Sequence, residues 1–475
     1  MQFNSVAFLV FLPTVFLVYW ALQGRPLRLQ NCFLLLASYI FYAWWDWRFL
    51  SLLVFSSALD YTVARAVEHS EGKRRTWLLV VSLAGNLGVL GLFKYYGFFV
   101  HSVVRAFEIV GLHIHASTLS LILPLGISFY TFRTISYAVD VYRRKIPAAR
   151  DPIAYFAYVS FFPELVAGPI DRAEHLLPQF LHRRTFDYAS ARDGMQQILW
   201  GFFKKCAVAD RLAPVVDDIF RNYPVYQGPT LLLGILYFSI QIYCDFSAYS
   251  DIAIGVGRLF GFDLMRNFAF PYFSRSPREF WKRWHISLST WFRDYVYIPL
   301  GGSRTKSRLR HAANLLATFA LSGLWHGASW NFIFWGLYNG ALLVPGALLG
   351  RSPAPAAPST QHRVLPGIVA LAQMAGTFGL VSLGWLFFRS ASLRDALQYL
   401  ARMFATSWAV RPPHLRWGLL AALVLGLEWV QRRKQHALQI EGGPAWVRWA
   451  VYYAVVVVLI LFAYTGHVPF IYFRF

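Results

Sequence analysis

Two histidines, His285 and His326, are the residues of this chain best suited to chemistry, because an imidazole takes up or releases a proton near neutral pH. His326 lies between Trp325 and Gly327 in the apolar run LSGLWHGASWNFIFWGLYNG, Leu321 to Gly340. The small residues Gly323, Gly327 and Ala328 are expected to leave room for a substrate beside its ring. A lone histidine in such a run also reads as a buried ring bonded to a carbonyl. His285 lies in PYFSRSPREFWKRWHISLSTWFRDYVYIPLGGSRTKSRLR, Pro271 to Arg310, where Trp281, Trp284, Ile286, Leu288, Trp291 and Phe292 interleave with Arg278, Lys282, Arg283 and Arg293. That alternation predicts an amphipathic helix near 276–300 lying in the membrane interface, with aromatic anchors and cations near phosphate. Together the two rings point to proton transfer inside a membrane cavity.

The elements that must position them are membrane helices. Of the 475 residues, 57% are hydrophobic and only 14% charged, against about a quarter charged in a soluble domain, which excludes disorder. Apolar stretches of about 20 residues, the length that crosses a bilayer, run almost without interruption from Ser5 to Tyr472. They predict an all-α polytopic membrane protein of about ten to thirteen membrane segments. The net charge of +22 would suggest nucleic acid in a soluble protein. Here it reads as basic loops facing anionic lipid, and no nucleic-acid partner is expected.

Ser5 to Leu22 lacks a basic flank and a cleavage site, so it is expected to remain as a span rather than to act as a signal peptide. Arg25 and Arg28, then Arg65 with Lys73 to Arg75, then Arg143 to Lys145 fall on one side, which places the N-terminus outside and these loops in the cytoplasm. Ile153 to Ala167 fits a re-entrant segment as well as a span. RSPAPAAPSTQHR, 351–363, reads as a flexible linker. One membrane-embedded domain is expected: N-terminal spans over 1–150, a core over 151–350, and C-terminal spans over 364–475. Cys32, Cys206 and Cys244 show no paired spacing, and the scattered His and Cys show no zinc spacing, so neither a disulfide framework nor a metal is expected.

The blocks RSPREFWKRWHISLSTWFRDYVYIPLGGSR and SGLWHGASWNFIFWGLYNG resemble the signature blocks of the membrane-bound O-acyltransferase family, in its bacterial alginate O-acetyltransferase branch. LFKYYGFF, LPLGISFYTFRTISYAVDVYRRK, SFFPELVAGPIDR, YCDFSAYSDIAIG and WLFFR follow that branch in order. The resemblance implies a helical bundle with re-entrant and interfacial helices around a central reaction chamber. It also makes His326 the essential intramembrane histidine and His285 the second catalytic-site position. Tyr243, Asp245, Ser250 and Asp251 lie on a motif that lines the chamber in similar proteins, or else simply bond to one another. Asn339 stands where members of the branch often carry His, and it receives no catalytic role.

By that resemblance the chain moves an acetyl group from a cytoplasmic thioester such as acetyl-CoA across the bacterial inner membrane, with no bound cofactor. The destination is an exported polysaccharide such as alginate, reached through a periplasmic acetyltransferase partner. A hydroxyl attacking a thioester needs a base, for which His326 is the candidate. The oxyanion needs a donor, supplied by protonated His285 or by an indole N–H such as that of Trp325. A channel or flippase using the same cavity, with the histidines as gating or proton-relay groups, is the alternative. It would work without a thioester and leave its substrate unchanged.

Overall fold

The computed structural model describes residues 1–114, 121–305, 307–349, 367–440, 444–464, 466 and 468–473. The linker expected at 351–363 lies outside the described residues. Every regular element described is helical, as a bilayer demands, because only a helix or a closed barrel satisfies its own backbone polar groups in lipid. Among the described residues, five helices are long and apolar enough to cross a membrane: Trp47–Glu68, Gly72–Ile109, Gly228–Leu259, Ile368–Arg389 and Ala445–Phe462. Val6–Ala21 is a shorter apolar helix. The protein is therefore an all-α, multi-pass membrane protein, with most of its other apolar stretches folded as shorter helices. Ile153 to Ala167, for example, becomes Pro152–Ser160 and Phe162–Leu165. A helix of nine residues is only about 14 Å long at 1.5 Å per residue, too short to span.

The described chain forms two compact units, Met1–Ile198 with Ile252–Met265, and Leu199–Asp251 with Arg266–Phe475. In the first, the helix Ile127–Tyr142 is the core, with 14 of its 16 residues buried. A helix buried all round must satisfy every polar side chain it carries. Arg133 does so by donating to the carbonyls of Tyr158 and Val159, each at 3.1 Å, and by pairing at 2.8 Å with Glu164, which is fully buried. A second polar knot ties three helices together. Asp60 accepts from Ser82 Oγ at 2.5 Å and from Asn86 Nδ2 at 2.8 Å, while Asn86 Oδ1 accepts from Ser56 and Thr134.

Outside the spans, Asp171 closes a loop of the same unit. It accepts from the backbone N–H of Met265 at 2.8 Å and pairs with His175 Nδ1 at 2.8 Å, and His175 Nε2 lies 3.6 Å from Asp263. The hydrogen bonds to Asp171 and then Asp263 raise His175 from its usual value to about 10. Because the folded value is raised, this contribution to stability is fully present below about pH 6.5 and is lost as pH rises through about 10. His175 is partly exposed, so solvent screening limits the effect to about 1 kcal/mol or less. Thermal unfolding between pH 7 and pH 10.5 is expected to show a decline that His175→Gln abolishes. Parallel curves for the two proteins would refute it.

Candidate active site

The site lies in the second unit and is built on two chain breaks. The stretch Pro277–Arg283 begins as a helix capped by Ser276, whose Oγ accepts from Glu279 N at 3.2 Å, with Pro277 in the first turn. It ends after one more residue, because His285 takes the left-handed conformation at φ 43°, ψ 55°, which costs a residue with a Cβ and recurs at functional sites. The chain resumes as Ile286–Phe292 and then a π-turn, Arg293–Tyr297. The helix expected near 276–300 is thus divided at His285. Phe280, Trp284, Trp291 and Phe292 are buried, not anchors in lipid, whereas Arg278, Lys282 and Arg293 are exposed.

The break turns the His285 ring inward onto a buried amide. His285 Nδ1 lies 3.1 Å from Asn267 Oδ1. The same oxygen accepts from Ser287 N and Ser287 Oγ, and Asn267 Nδ2 donates to Ser250 Oγ at 3.0 Å. An oxygen that accepts from three sides makes Nδ1 the protonated nitrogen, so neutral His285 carries its lone pair on Nε2.

His326 is the last residue of the helix Arg308–His326, after which Gly327 is extended at φ −163°. The helix Trp330–Ala341 returns alongside it at very close range. A Cβ at Gly323 would overlap the carbonyl oxygen of Phe332, and one at Gly336 the carbonyl oxygen of Phe319. A Cβ at Gly327 would enter the Phe332 ring. The glycines therefore admit a neighbouring helix, and the places their side chains would take are occupied by Phe332 and Phe319. Gly336→Val is expected to destabilise the protein by about 1–3 kcal/mol and to lower its unfolding temperature in detergent. An unshifted transition would show that the helices can separate without loss.

This packing fixes His326 among aromatic rings. Its centroid is 4.9 Å from Trp325, 5.0 Å from Trp335 and 5.7 Å from Phe388. The His285 ring is 6.5 Å away, centroid to centroid. His326 Nδ1 lies 3.2 Å from the hydroxyl of Tyr472. Two buried imidazoles and a half-buried phenol thus meet in one place, and Trp325 stands 6.1 Å from His285.

Residues 143–378 match the model of the MBOAT, membrane-bound O-acyltransferase family. The chain is 41% identical over 411 residues to the probable alginate O-acetylase of Pseudomonas aeruginosa, covering 85% of this chain and 75% of that one. It is 36% identical over 433 residues to the peptidoglycan O-acetyltransferase of Helicobacter pylori, covering 84% and 79%. With the teichoic acid D-alanyltransferase of Streptococcus thermophilus it shares 28% over 268 residues, 52% of this chain and 63% of that one. The chain belongs to the membrane-bound O-acyltransferase family. As an O-acyltransferase it needs a hydroxyl, a base and a donor for an oxyanion.

The acyltransferase's other candidate residues divide. Ser250 reaches the histidines through Asn267. Tyr243, Asp245 and Asp251 instead join a buried set of charges. Tyr243 OH donates to Glu428 at 2.8 Å, Lys204 pairs with Asp251 at 2.6 Å, and Lys205 lies 2.8 Å from both Asp210 and Asp245. Both lysines sit on a π-turn, Phe203–Ala209, a rare geometry frequent at functional sites. Asn339 donates to the carbonyl of Trp335, within its own helix. Sequence reasoning missed Asn267, Tyr472, Lys204, Lys205 and Glu428. Lys204, Lys205 and Glu428 do carry a signal, as ionisable residues inside the apolar runs GFFKKCAVA and GLLAALVLGLEWV.

Proposed function

We propose that this acyltransferase takes an acetyl group from a cytoplasmic thioester, acetyl-CoA, and delivers it across the bacterial inner membrane for O-acetylation of an exported polysaccharide such as alginate. The distribution of basic loops supports an N-terminus outside. A periplasmic acetyltransferase partner receives the acetyl group before the polymer does. The relatives' names as alginate and peptidoglycan acetylating proteins support the acceptor class. One observation carries the mechanism: the Tyr472 hydroxyl is 3.2 Å from His326 Nδ1, so the hydroxyl that a base at His326 can activate belongs to the protein itself.

In this reading Tyr472 attacks the thioester carbonyl while His326 takes the phenolic proton. The oxyanion is met by the Trp325 indole N–H, or by His285 once protonated. Collapse breaks the C–S bond, and the thiolate leaves with the proton held by His326. The product is an acetyl ester of Tyr472. The second step reverses the roles: the acceptor hydroxyl attacks the ester, its proton passes to His326 or to His285 Nε2, and the phenolate of Tyr472 is reprotonated. The order of leaving groups favours this direction, since a thiol ionises near 8.5 and a phenol near 10, both well below an aliphatic hydroxyl.

The test is to incubate the purified protein in nanodiscs with acetyl-CoA and no acceptor, and to weigh its C-terminal peptide. An added acetyl group on Tyr472, absent in Tyr472→Phe and released when an acceptor is supplied, is the expected result. Thioester use that depends on acceptor but never marks Tyr472 would assign the phenol to orienting His326. Indifference to every thioester would move the chain to the transporter reading.

A further inference from the structure

The reaction reading leaves a buried carboxylate unexplained. Asp245 is buried in the helix Gly228–Leu259, yet its hydrogen bonds do not point at the histidines. Its Oδ1 lies 2.8 Å from Lys205 Nζ, which is shared with Asp210, and its Oδ2 accepts from the backbone N–H of Ile471 at 2.7 Å. The residues flanking Ile471 rest on the same helix. Phe470 lies 4.6 Å from the Tyr249 ring, and Tyr472 lies 4.5 Å from Phe246. The π-turn that carries Lys205 also holds the approach to this segment, since Tyr464 N donates to the Cys206 carbonyl at 3.2 Å.

We propose that Asp245, held in place by Lys205, is a positioning residue that seats the C-terminal segment and so sets the Tyr472 hydroxyl against His326. A carboxylate can fix a backbone amide with a strong, directional bond. The aromatic contacts on either side are broad, and alone they would tolerate sliding. Ile471–Phe473 is a 3-10 turn, in which a slip of one residue moves the chain by about 2 Å and rotates it by about 120°, taking the phenol out of reach of His326. Lys205, 2.8 Å from Oδ1, holds the carboxylate in its orientation, which is the use the structure makes of a cation buried on a π-turn.

This inference rests on Tyr472 being the hydroxyl that receives the acetyl group, and the experiment separates the two. Full-length protein in nanodiscs is compared as wild type, Asp245→Ala, Asp245→Asn, Ile471→Pro and His326→Ala. Hydrogen exchange of the C-terminal peptide, acetylation of that peptide by acetyl-CoA, and thermal unfolding are measured on each. Asp245→Ala is expected to raise exchange at Phe470 and Tyr472 at least tenfold. Its acetylation rate should fall at least tenfold, with the KM for acetyl-CoA unchanged. Asp245→Asn keeps an oxygen for the amide and should recover much of the protection. Ile471→Pro removes the N–H together with the buried isoleucine side chain but leaves Lys205 and Asp245 in place, so it should reproduce the release even if Asp245→Ala folds poorly. His326→Ala should lose acetylation while its C-terminal peptide stays protected. Unchanged exchange in Ile471→Pro would overturn the seat. Increased exchange in a chain whose Tyr472 is never acetylated would keep the seat and discard the acceptor role.

Discussion

His326→Ala is expected to lower thioester cleavage by about 10³-fold, within the range of 10²–10⁴ that a positioned general base supplies, with thermal unfolding little changed. The ring sits at the end of its helix and contributes no helical cap that alanine removes, and its neighbours Trp335 and Phe388 pack on each other as well as on it. Tyr472→Phe makes the complementary case. It keeps the ring against Phe246 at 4.5 Å and removes only the hydroxyl. Transfer to acceptor should fall as far as in His326→Ala, while a slow leak of acetyl-CoA to water persists, because the base remains. Stopped assays of thiol release with and without acceptor separate the two. Equal leak in both variants would take the base away from His326.

The largest effect on stability is expected from Arg133→Leu. Arg133 and Glu164 are 2% and 0% exposed at the side chain and lie 2.8 Å apart. Removing one partner of a buried pair leaves the other charge without compensation, at a cost of about 3–5 kcal/mol. The carbonyls of Tyr158 and Val159 lose their donor as well, adding about 1–3 kcal/mol. The single variant is therefore expected to be recovered mostly unfolded, as judged by gel filtration and thermal unfolding in detergent. Arg133→Leu with Glu164→Leu should recover part of the loss, because the stranded carboxylate is gone. Identical behaviour of single and double variants would show that the carbonyl bonds, not the charges, hold this helix.

What the sequence made legible follows from contrast. His285 and His326 stand out as titratable groups inside tryptophan-rich apolar runs, and the structure brings their rings within 6.5 Å. Helical membrane architecture follows directly from the spacing of apolar residues. The interfacial helix misled because tryptophan and arginine have the same composition whether the aromatic face meets lipid or protein, and here Trp284 and Trp291 are buried. Gly323 and Gly327 carry two readings, since a small residue serves equally an open cavity and a close helix crossing, and the structure shows the crossing. Tyr472 offered no contrast at all. It is an aromatic residue among aromatics, in PFIYF, and only the fold reveals its contact with His326.

The paired lysines of the Phe203–Ala209 turn also bear on how the chain is made. Lys204 and Lys205 leave the ribosome before Asp245 and Asp251, the acids they meet in the finished protein. Each unpaired lysine or aspartate at mid-bilayer raises the cost of insertion by about 2.5–3.5 kcal/mol. The two halves of the pairs therefore gain by leaving the translocon together, the later helix entering lipid against the earlier turn. A nascent chain halted between them would hold Lys205 against Asp210 alone and leave Lys204 without Asp251.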